Sequence, residues 1–255
     1  MHKNYKLCSV MVIFLLSIIF SSGCITSEDE IDPTILRIKN AGKLVVGTST
    51  PYEPMEYIDD QDNIVGFDID LANEIASTLE VKLEIVDMNF DDLIDSVVAG
   101  DIDISIAAIT INLERSEQVL FSNPYLNAGQ VVIFNVSRED ITSPEELNGS
   151  RIGVQNGTTS QQEAEKYTNA SLVFTFDDYS TAVDSLLNNS VDALIIDYPA
   201  GFGLVQNNEG IKIVGNPFTD ELYGVAIKKG ETALKNEIDK IINSGVIETL
   251  EEKWF

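Results

Sequence analysis

Thirteen residues of this chain occur twice in nearly the same pattern. Ile94-Asp-Ser-Val-Val-Ala-Gly-Asp-Ile-Asp-Ile-Ser-Ile106 aligns without a gap, 89 positions on, with Val183-Asp-Ser-Leu-Leu-Asn-Asn-Ser-Val-Asp-Ala-Leu-Ile195. Each copy reads as an amphipathic helix that stops at a turn residue, Gly100 or Asn189, and runs on into a buried strand. Such units share apolar patterning by chance. Each copy, however, also lies downstream of a strand-turn-helix start, Val45-Val-Gly-Thr48 in one case and Ile152-Gly-Val-Gln-Asn-Gly157 in the other. Two similar α/β lobes are the economical reading. A chain of 255 residues can hold them, because single cores rarely grow beyond about 250 residues.

From Leu36 onward, short β-branched or apolar runs alternate with segments of helical period. Leu44-Val-Val-Gly-Thr48 is a strand entering a polar turn. Phe67, Leu71, Ile75 and Leu79 form a helical stripe, and Asp68 and Asp70 at its start are expected to cap the first turn. In open α/β sheets, ligands bind beyond the carboxyl ends of strands. Four such ends are Ser49 to Pro54, Ala107 to Asn112, Gln155 to Ser160 and Asp197 to Pro199. If the lobes face each other, these loops line one cleft.

Composition removes whole classes of function. With 16 Lys and Arg against 42 Asp and Glu, the formal charge is −26, so nothing in the chain attracts a phosphate backbone and nucleic acid is not expected as a partner. The only histidine is His2 and the only cysteines are Cys8 and Cys24. A Ser-His-Asp triad, a Cys-His nucleophile and a His/Cys zinc site are therefore excluded from the folded part. No catalytic residue, metal or cofactor is expected.

The N-terminus reads as an address. His2, Lys3 and Lys6 precede the apolar run Val10 to Phe20, which is too short to span a bilayer but suits the hydrophobic region of an export signal. Ser21-Ser22-Gly23-Cys24 resembles a lipobox, with Ser21 where leucine is usual. That resemblance implies lipidation at Cys24, a simple signal being the alternative. Residues 1–24 are then the signal and 25–35 an acidic tether.

The run Gly66-Phe-Asp-Ile-Asp-Leu-Ala-Asn-Glu-Ile-Ala-Ser-Thr-Leu79 resembles the pattern of the family 3 extracellular solute-binding proteins, which capture polar amino acids for ABC importers. The resemblance continues through Phe90, Ala107-Ala-Ile-Thr-Ile-Asn-Leu-Glu-Arg115, Phe121-Ser-Asn-Pro-Tyr125, Gly153-Val-Gln-Asn-Gly-Thr-Thr159, Asp197 and Glu252-Lys-Trp-Phe255. It implies an α/β, two-lobe fold of mixed sheets flanked by helices, with the ligand cleft between the lobes. Residues 36–124 and 224–255 would form lobe 1 and residues 125–223 lobe 2, with crossovers near Tyr125 to Gly129 and Thr219 to Tyr223. The implied partners are a free amino acid, the permease and ATPase subunits of an ABC transporter, and the membrane through the lipid anchor. An exported monomer held at the outer face of the cell membrane is expected.

The same resemblance assigns roles. A zwitterion buried without partners is costly, so a site must oppose both of its charges. Arg115 matches the arginine that grips the α-carboxylate, with Thr110 and backbone amides around Ala107 and Ala108 as further donors. Asp197 matches the acid that takes the α-ammonium, and Thr158 and Thr159 add to the carboxylate site from the second lobe. On residue type alone, Arg115 also reads as a salt bridge to Glu114 or Glu117, and Asp197 as a loop cap. Tyr52 and Phe90 match aromatics that sandwich the ligand's stem. Ser49 stands where many binders of basic amino acids or glutamine carry Asp, and Glu53 is the acid expected to replace that charge. Gln155 occupies a slot that is often Lys in glutamine binders. The expected ligand is a basic amino acid first and glutamine second. The alternative is an enzyme of the same fold, a cyclohexadienyl or arogenate dehydratase, with Asp197 or Glu53 supplying the carboxyl group.

Overall fold

A computed structural model of the protein describes residues 33–138 and 143–255. The signal, Cys24 and the tether up to residue 32 lie outside the described residues. Residues 33–35, read above as the end of the tether, instead form the first turn of helix α1 (Pro33–Ala41). The chain then runs through β1 (Lys43–Thr48), a hairpin of β2 (Tyr57–Ile58) and β3 (Ile64–Val65), α2 (Phe67–Thr78), β4 (Lys82–Asp87), α3 (Leu93–Ala99), β5 (Ile104–Ser105), α4 (Leu113–Ser116) and β6 (Val119–Phe121). There follow β7 (Leu126–Asn127), β8 (Gln130–Asn135), β9 (Ile152–Gln155), α5 (Thr159–Tyr167), β10 (Val173–Phe176), α6 (Tyr179–Leu187), β11 (Ala193–Asp197), α7 (Tyr198–Asn207) and β12 (Ile211–Val214). The last elements are β13 (Leu222–Tyr223), β14 (Ala226–Lys228), α8 (Thr232–Ile241) and α9 (Ile247–Trp254).

Two five-stranded mixed sheets result, in the orders β4-β1-β5-β14-β6 and β10-β9-β11-β8-β12. The orders are equivalent. The central strand of each, β5 or β11, pairs in parallel with one neighbour and antiparallel with the other. These are the two strands of the internal repeat. Their preceding helices, α3 and α6, end at the expected turn residues, with Gly100 at φ 86° and Asn189 at φ 62° in the left-handed region. Apolar side chains cover both faces of each sheet, as strands without a polar face require. Between the sheets, β7 and β13 pair antiparallel as a narrow ribbon.

The α2 stripe is buried, including Phe67, Leu71 and Ile75, but its acids do not cap the helix. Asp68 Oδ2 accepts from the Ala108 N–H at 2.6 Å and the Tyr125 hydroxyl at 2.9 Å. Asp70 Oδ2 accepts from Lys253 Nζ and Trp254 Nε1, so it ties α9 to α2. The helix start is instead docked by its neighbours. At Gly66 φ is 141°, and a Cβ there would lie 2.1 Å from the Met55 carbonyl oxygen. The loop before α2 therefore packs directly on this turn, with the Phe67 N–H donating to Pro54 O and the Asp68 N–H to Met55 O.

Candidate functional site

The four strand ends meet around one small cavity. Ser49, Tyr52, Phe90, Ala107, Ala108, Thr110, Arg115, Gln155, Thr158, Thr159 and Asp197 all line it. Glu56 and Ser160 line it as well, and neither was singled out in the sequence. Glu53 does not.

The displacement of Glu53 follows from a tight turn. Tyr52 and Glu56 bridge to each other, the Tyr52 N–H donating to Glu56 O and the Glu56 N–H to Tyr52 O. Both side chains thus reach the cavity while the residues between them form the turn. Glu53 is left partly exposed, and its Oε2 accepts from Asn207 Nδ2 of α7 at 2.8 Å. The acid near the Ser49 slot is Glu56, which is 1% exposed. Burial, then the charges of Asp68 and Asp87, holds the Glu56 carboxyl well above the usual range. Burial also raises Asp68, although the Ala108 N–H and the Tyr125 hydroxyl act against it. Glu56 Oε2 and Asp68 Oδ1 are both buried without a hydrogen-bond partner, which suits a pair holding one proton between them.

Arg115 sits on α4 and is 8% exposed. Asn112 Oδ1 accepts its backbone N–H at 2.8 Å and so starts the helix. The guanidinium donates from Nη1 to Thr110 O at 2.9 Å and from Nη2 to Gly157 O at 3.0 Å, with its Cζ 5.2 Å from the centre of the Phe90 ring. Gly157 has φ 74°, which turns that carbonyl across the cleft to the arginine. No salt bridge to Glu114 or Glu117 forms among the described residues. Burial lowers the guanidinium's pKa, and Asp197, Glu221 and Glu114 push it back up. The two carbonyl contacts leave a fork of N–H groups for a carboxylate.

Asp197 ends β11 on the other sheet and is 6% exposed. It makes no side-chain cap to α7. Its Oδ2 accepts from the Tyr223 hydroxyl at 2.5 Å, and its Oδ1 is buried with no hydrogen-bond partner. A buried oxygen of this kind calls for a donor.

The two threonines differ from expectation. The hydroxyls of Thr110 and Thr159 donate to Glu221 Oε2 at 2.6 and 3.0 Å, so their single protons are not directed at a bound carboxylate. They can only accept there. Donors from this side are the backbone amides, including those at the start of α5, whose dipole adds positive potential. The Thr158 hydroxyl donates to Gln155 O at 2.8 Å, and Gln155 Nε2 donates to Asp177 O at 3.0 Å.

Burial is the main reason that Asp197 is pushed up to about 7; Tyr223 opposes it and Glu221 adds to it. In the unfolded chain a carboxyl of this type titrates near ~3.9, so the folded state holds its proton more tightly and this contribution to stability falls as pH rises from ~4 to about 7. Binding a cationic group at Oδ1 requires the ionised form. Affinity for an ammonium ligand is therefore expected to rise with pH from ~5 to about 7 and then level off, with net proton release below 7. Calorimetry in buffers of different ionisation enthalpy measures both. A constant affinity with no proton release over that range would contradict this role for Asp197.

Two lobes enclosing a small cavity, with a guanidinium on one wall and a carboxylate on the other, define a protein that binds a small polar solute. Comparison with known proteins agrees. The chain belongs to the bacterial extracellular solute-binding proteins, family 3, whose model matches residues 44–255. It is 31% identical over 265 aligned positions, covering 98% of this chain and 97% of the relative, to the ABC transporter glutamine-binding protein GlnH of Bacillus subtilis strain 168. It is 32% identical to the putative ABC transporter arginine-binding protein 2 of Escherichia coli K12, over 82% of this chain and 88% of that one. Among solved structures, a mutant of ArgBP from T. maritima superposes with a TM-score of 0.83 at 39% identity, covering 87% of this chain and 99% of that one. These relatives are binding proteins; the dehydratase reading meets them only in the ancestral amino acid-binding protein AncCDT-1, a precursor of cyclohexadienyl dehydratase, which superposes with a TM-score of 0.81 at 33% identity over 87% of this chain and 99% of that one. No described helix is long and apolar enough to cross a membrane.

Proposed function

We propose that this protein captures a free polar amino acid by closing its lobes over the ligand and delivers it to the permease and ATPase subunits of an ABC importer. Arginine or lysine ranks first and glutamine second. The observation that carries the reading is a single cavity shared by Arg115 and Asp197, with Asp197 Oδ1 buried and unpartnered. The carboxylate of the ligand pairs with Arg115 and with the amides of Thr110 and Thr159, the Ala108 N–H being held by Asp68, and its ammonium with Asp197. Tyr52 and Phe90 flank the stem of its side chain, and Glu56 supplies the charge opposite a basic group. Closure works by differential affinity, because the ligand touches both walls only when the lobes meet.

In this reading lobe 1 is residues 36–124 with 224–255 and lobe 2 is residues 125–223. The protein acts as a monomer at the outer face of the cell membrane, exported by residues 1–24 and held by a lipid on Cys24. A thermal-shift screen against the common amino acids tests the ligand. At 100 times its dissociation constant a ligand stabilises by about 2.7 kcal/mol, so a true ligand raises the melting point, and goes on raising it with the logarithm of its concentration above saturation. Arginine is expected to give the largest shift. A screen in which no amino acid moves the transition, set beside turnover of prephenate or arogenate, would replace the binding reading with the enzymatic one.

A further inference from the structure

Asp68 stands at the start of α2, caps no helix and does not line the cavity. It is nonetheless fully buried. Its partner is Ala108, which does line the cavity and has φ 49°, a left-handed conformation disfavoured for residues that carry a Cβ. A bond holds it there. The Ala108 N–H donates to Asp68 Oδ2 at 2.6 Å, where no water competes. The Tyr125 hydroxyl donates to the same oxygen at 2.9 Å, and the Tyr125 N–H to Tyr223 O at 2.9 Å, so the carboxylate is itself fixed. A trans peptide points its N–H and C=O in opposite directions, so the Ala107 carbonyl faces away from Asp68. No described group donates to that carbonyl, and Ala107 lies on the cavity wall.

We propose that Asp68 is a positioning residue for the amino end of the ligand: by holding Ala108 left-handed it aims the Ala107 carbonyl into the cavity, as an acceptor for the α-ammonium beside Asp197. The inference rests on the amino-acid reading above and adds to it a residue that never meets the ligand. An ammonium carries three N–H donors, and the unpartnered Asp197 Oδ1 takes one of them, so a further acceptor on the wall is needed. Without the bond to Asp68, Ala108 relaxes to negative φ, which rotates the peptide before it and withdraws that oxygen. A ligand that lacks an α-amino group has no use for it.

Arginine and δ-guanidinovalerate, which is arginine without its α-amino group, are the two probes. In Asp68→Ala, calorimetry is expected to show arginine bound roughly tenfold more weakly and δ-guanidinovalerate changed less than about twofold. Glu56, beside Asp68, acts on the guanidinium that both probes share, so its response cancels in the comparison. Glycine adopts positive φ without penalty, so in an Ala108→Gly background the same Asp68→Ala change is expected to weaken arginine by about threefold or less. Without ligand, exchange of the Ala108 amide hydrogen is expected to speed up at least about tenfold in Asp68→Ala, while the Ile106 amide, bonded to Gly47 O at 3.0 Å, keeps its rate. Equal losses for the two probes, the same loss in both backgrounds, or unchanged Ala108 exchange in a protein that binds arginine would each overturn the positioning role. If Asp68→Ala does not fold, Tyr125→Phe decides. It removes the second bond to Oδ2 and is expected to weaken arginine about threefold while leaving δ-guanidinovalerate as it was, and an equal effect on both overturns the role. A wild-type protein that binds neither probe overturns the amino-acid reading itself.

Discussion

Arg115→Ala is expected to abolish measurable binding of arginine, lysine and glutamine alike. The ligand's α-carboxylate is common to all three, and Arg115 is the one cation on the cavity wall. Its side chain is held on its own lobe by Thr110 O and the Phe90 ring, so the guanidinium is set in place before the ligand arrives, and Gly157 O reaches it from across the cleft. Removing one partner of a buried charge pair costs roughly 3–5 kcal/mol, which takes a ligand bound with roughly −8 kcal/mol from micromolar to millimolar affinity or weaker. The loss is aggravated by what remains, since the negative charges of Asp197 and Glu221 that act on Arg115 are then no longer offset by a cation on that wall. Arg115→Lys keeps the charge and loses the fork, so an intermediate affinity is expected. Calorimetry on the three variants measures this. Wild-type affinity in Arg115→Ala for any of the three ligands would remove the residue from the site.

Glu56→Gln is expected to separate basic from neutral ligands. A cationic side chain enclosed without an opposing charge is disfavoured by several kcal/mol, and Glu56 is the acid on the wall beside Tyr52 and Ser49. Arginine and lysine are expected to bind roughly 30-fold or more weakly, a loss of at least ~2 kcal/mol, whereas glutamine changes by about 1 kcal/mol or less. Burial and their mutual repulsion raise the Glu56 and Asp68 carboxyls, so an arriving cation is expected to displace a proton from this pair, with arginine releasing one there and glutamine not. The variant loses that release. Glu53→Gln, altering a partly exposed side chain bonded to Asn207, is expected to leave both ligands as they were. An arginine-selective loss in Glu53→Gln with none in Glu56→Gln would reverse the assignment.

The contrast between Glu53 and Glu56 marks the limit of what a sequence discloses. Both stand within a few residues of Ser49, and nothing in residue type or spacing ranks one above the other. The choice is made by the Tyr52 to Glu56 turn and its docking against the Gly66 backbone, a contact that excludes even a Cβ. Asp68 teaches the same point. Its place at a helix start makes a cap the natural expectation, yet its partner is an amide 40 positions away, on Ala108. Glu221 has one local partner, the Thr219 hydroxyl two positions before it, but its shortest bond comes from the Thr110 hydroxyl, 111 positions away.

The repeat, the alternation of strand and helix, and the polar strand ends were legible from the chain alone, because each depends on patterns that recur within one or two turns of backbone. Those patterns determined a two-lobed α/β architecture, and the resemblance to the family's motifs brought Arg115 and Asp197 forward as opposite charges for one solute. Tertiary structure alone decided which acid lines the cavity, which carboxylate supports the Ala108 turn, and where the threonine protons point. These outcomes turn on the burial and hydrogen bonding of single oxygens between segments far apart in the chain, and no local periodicity encodes them.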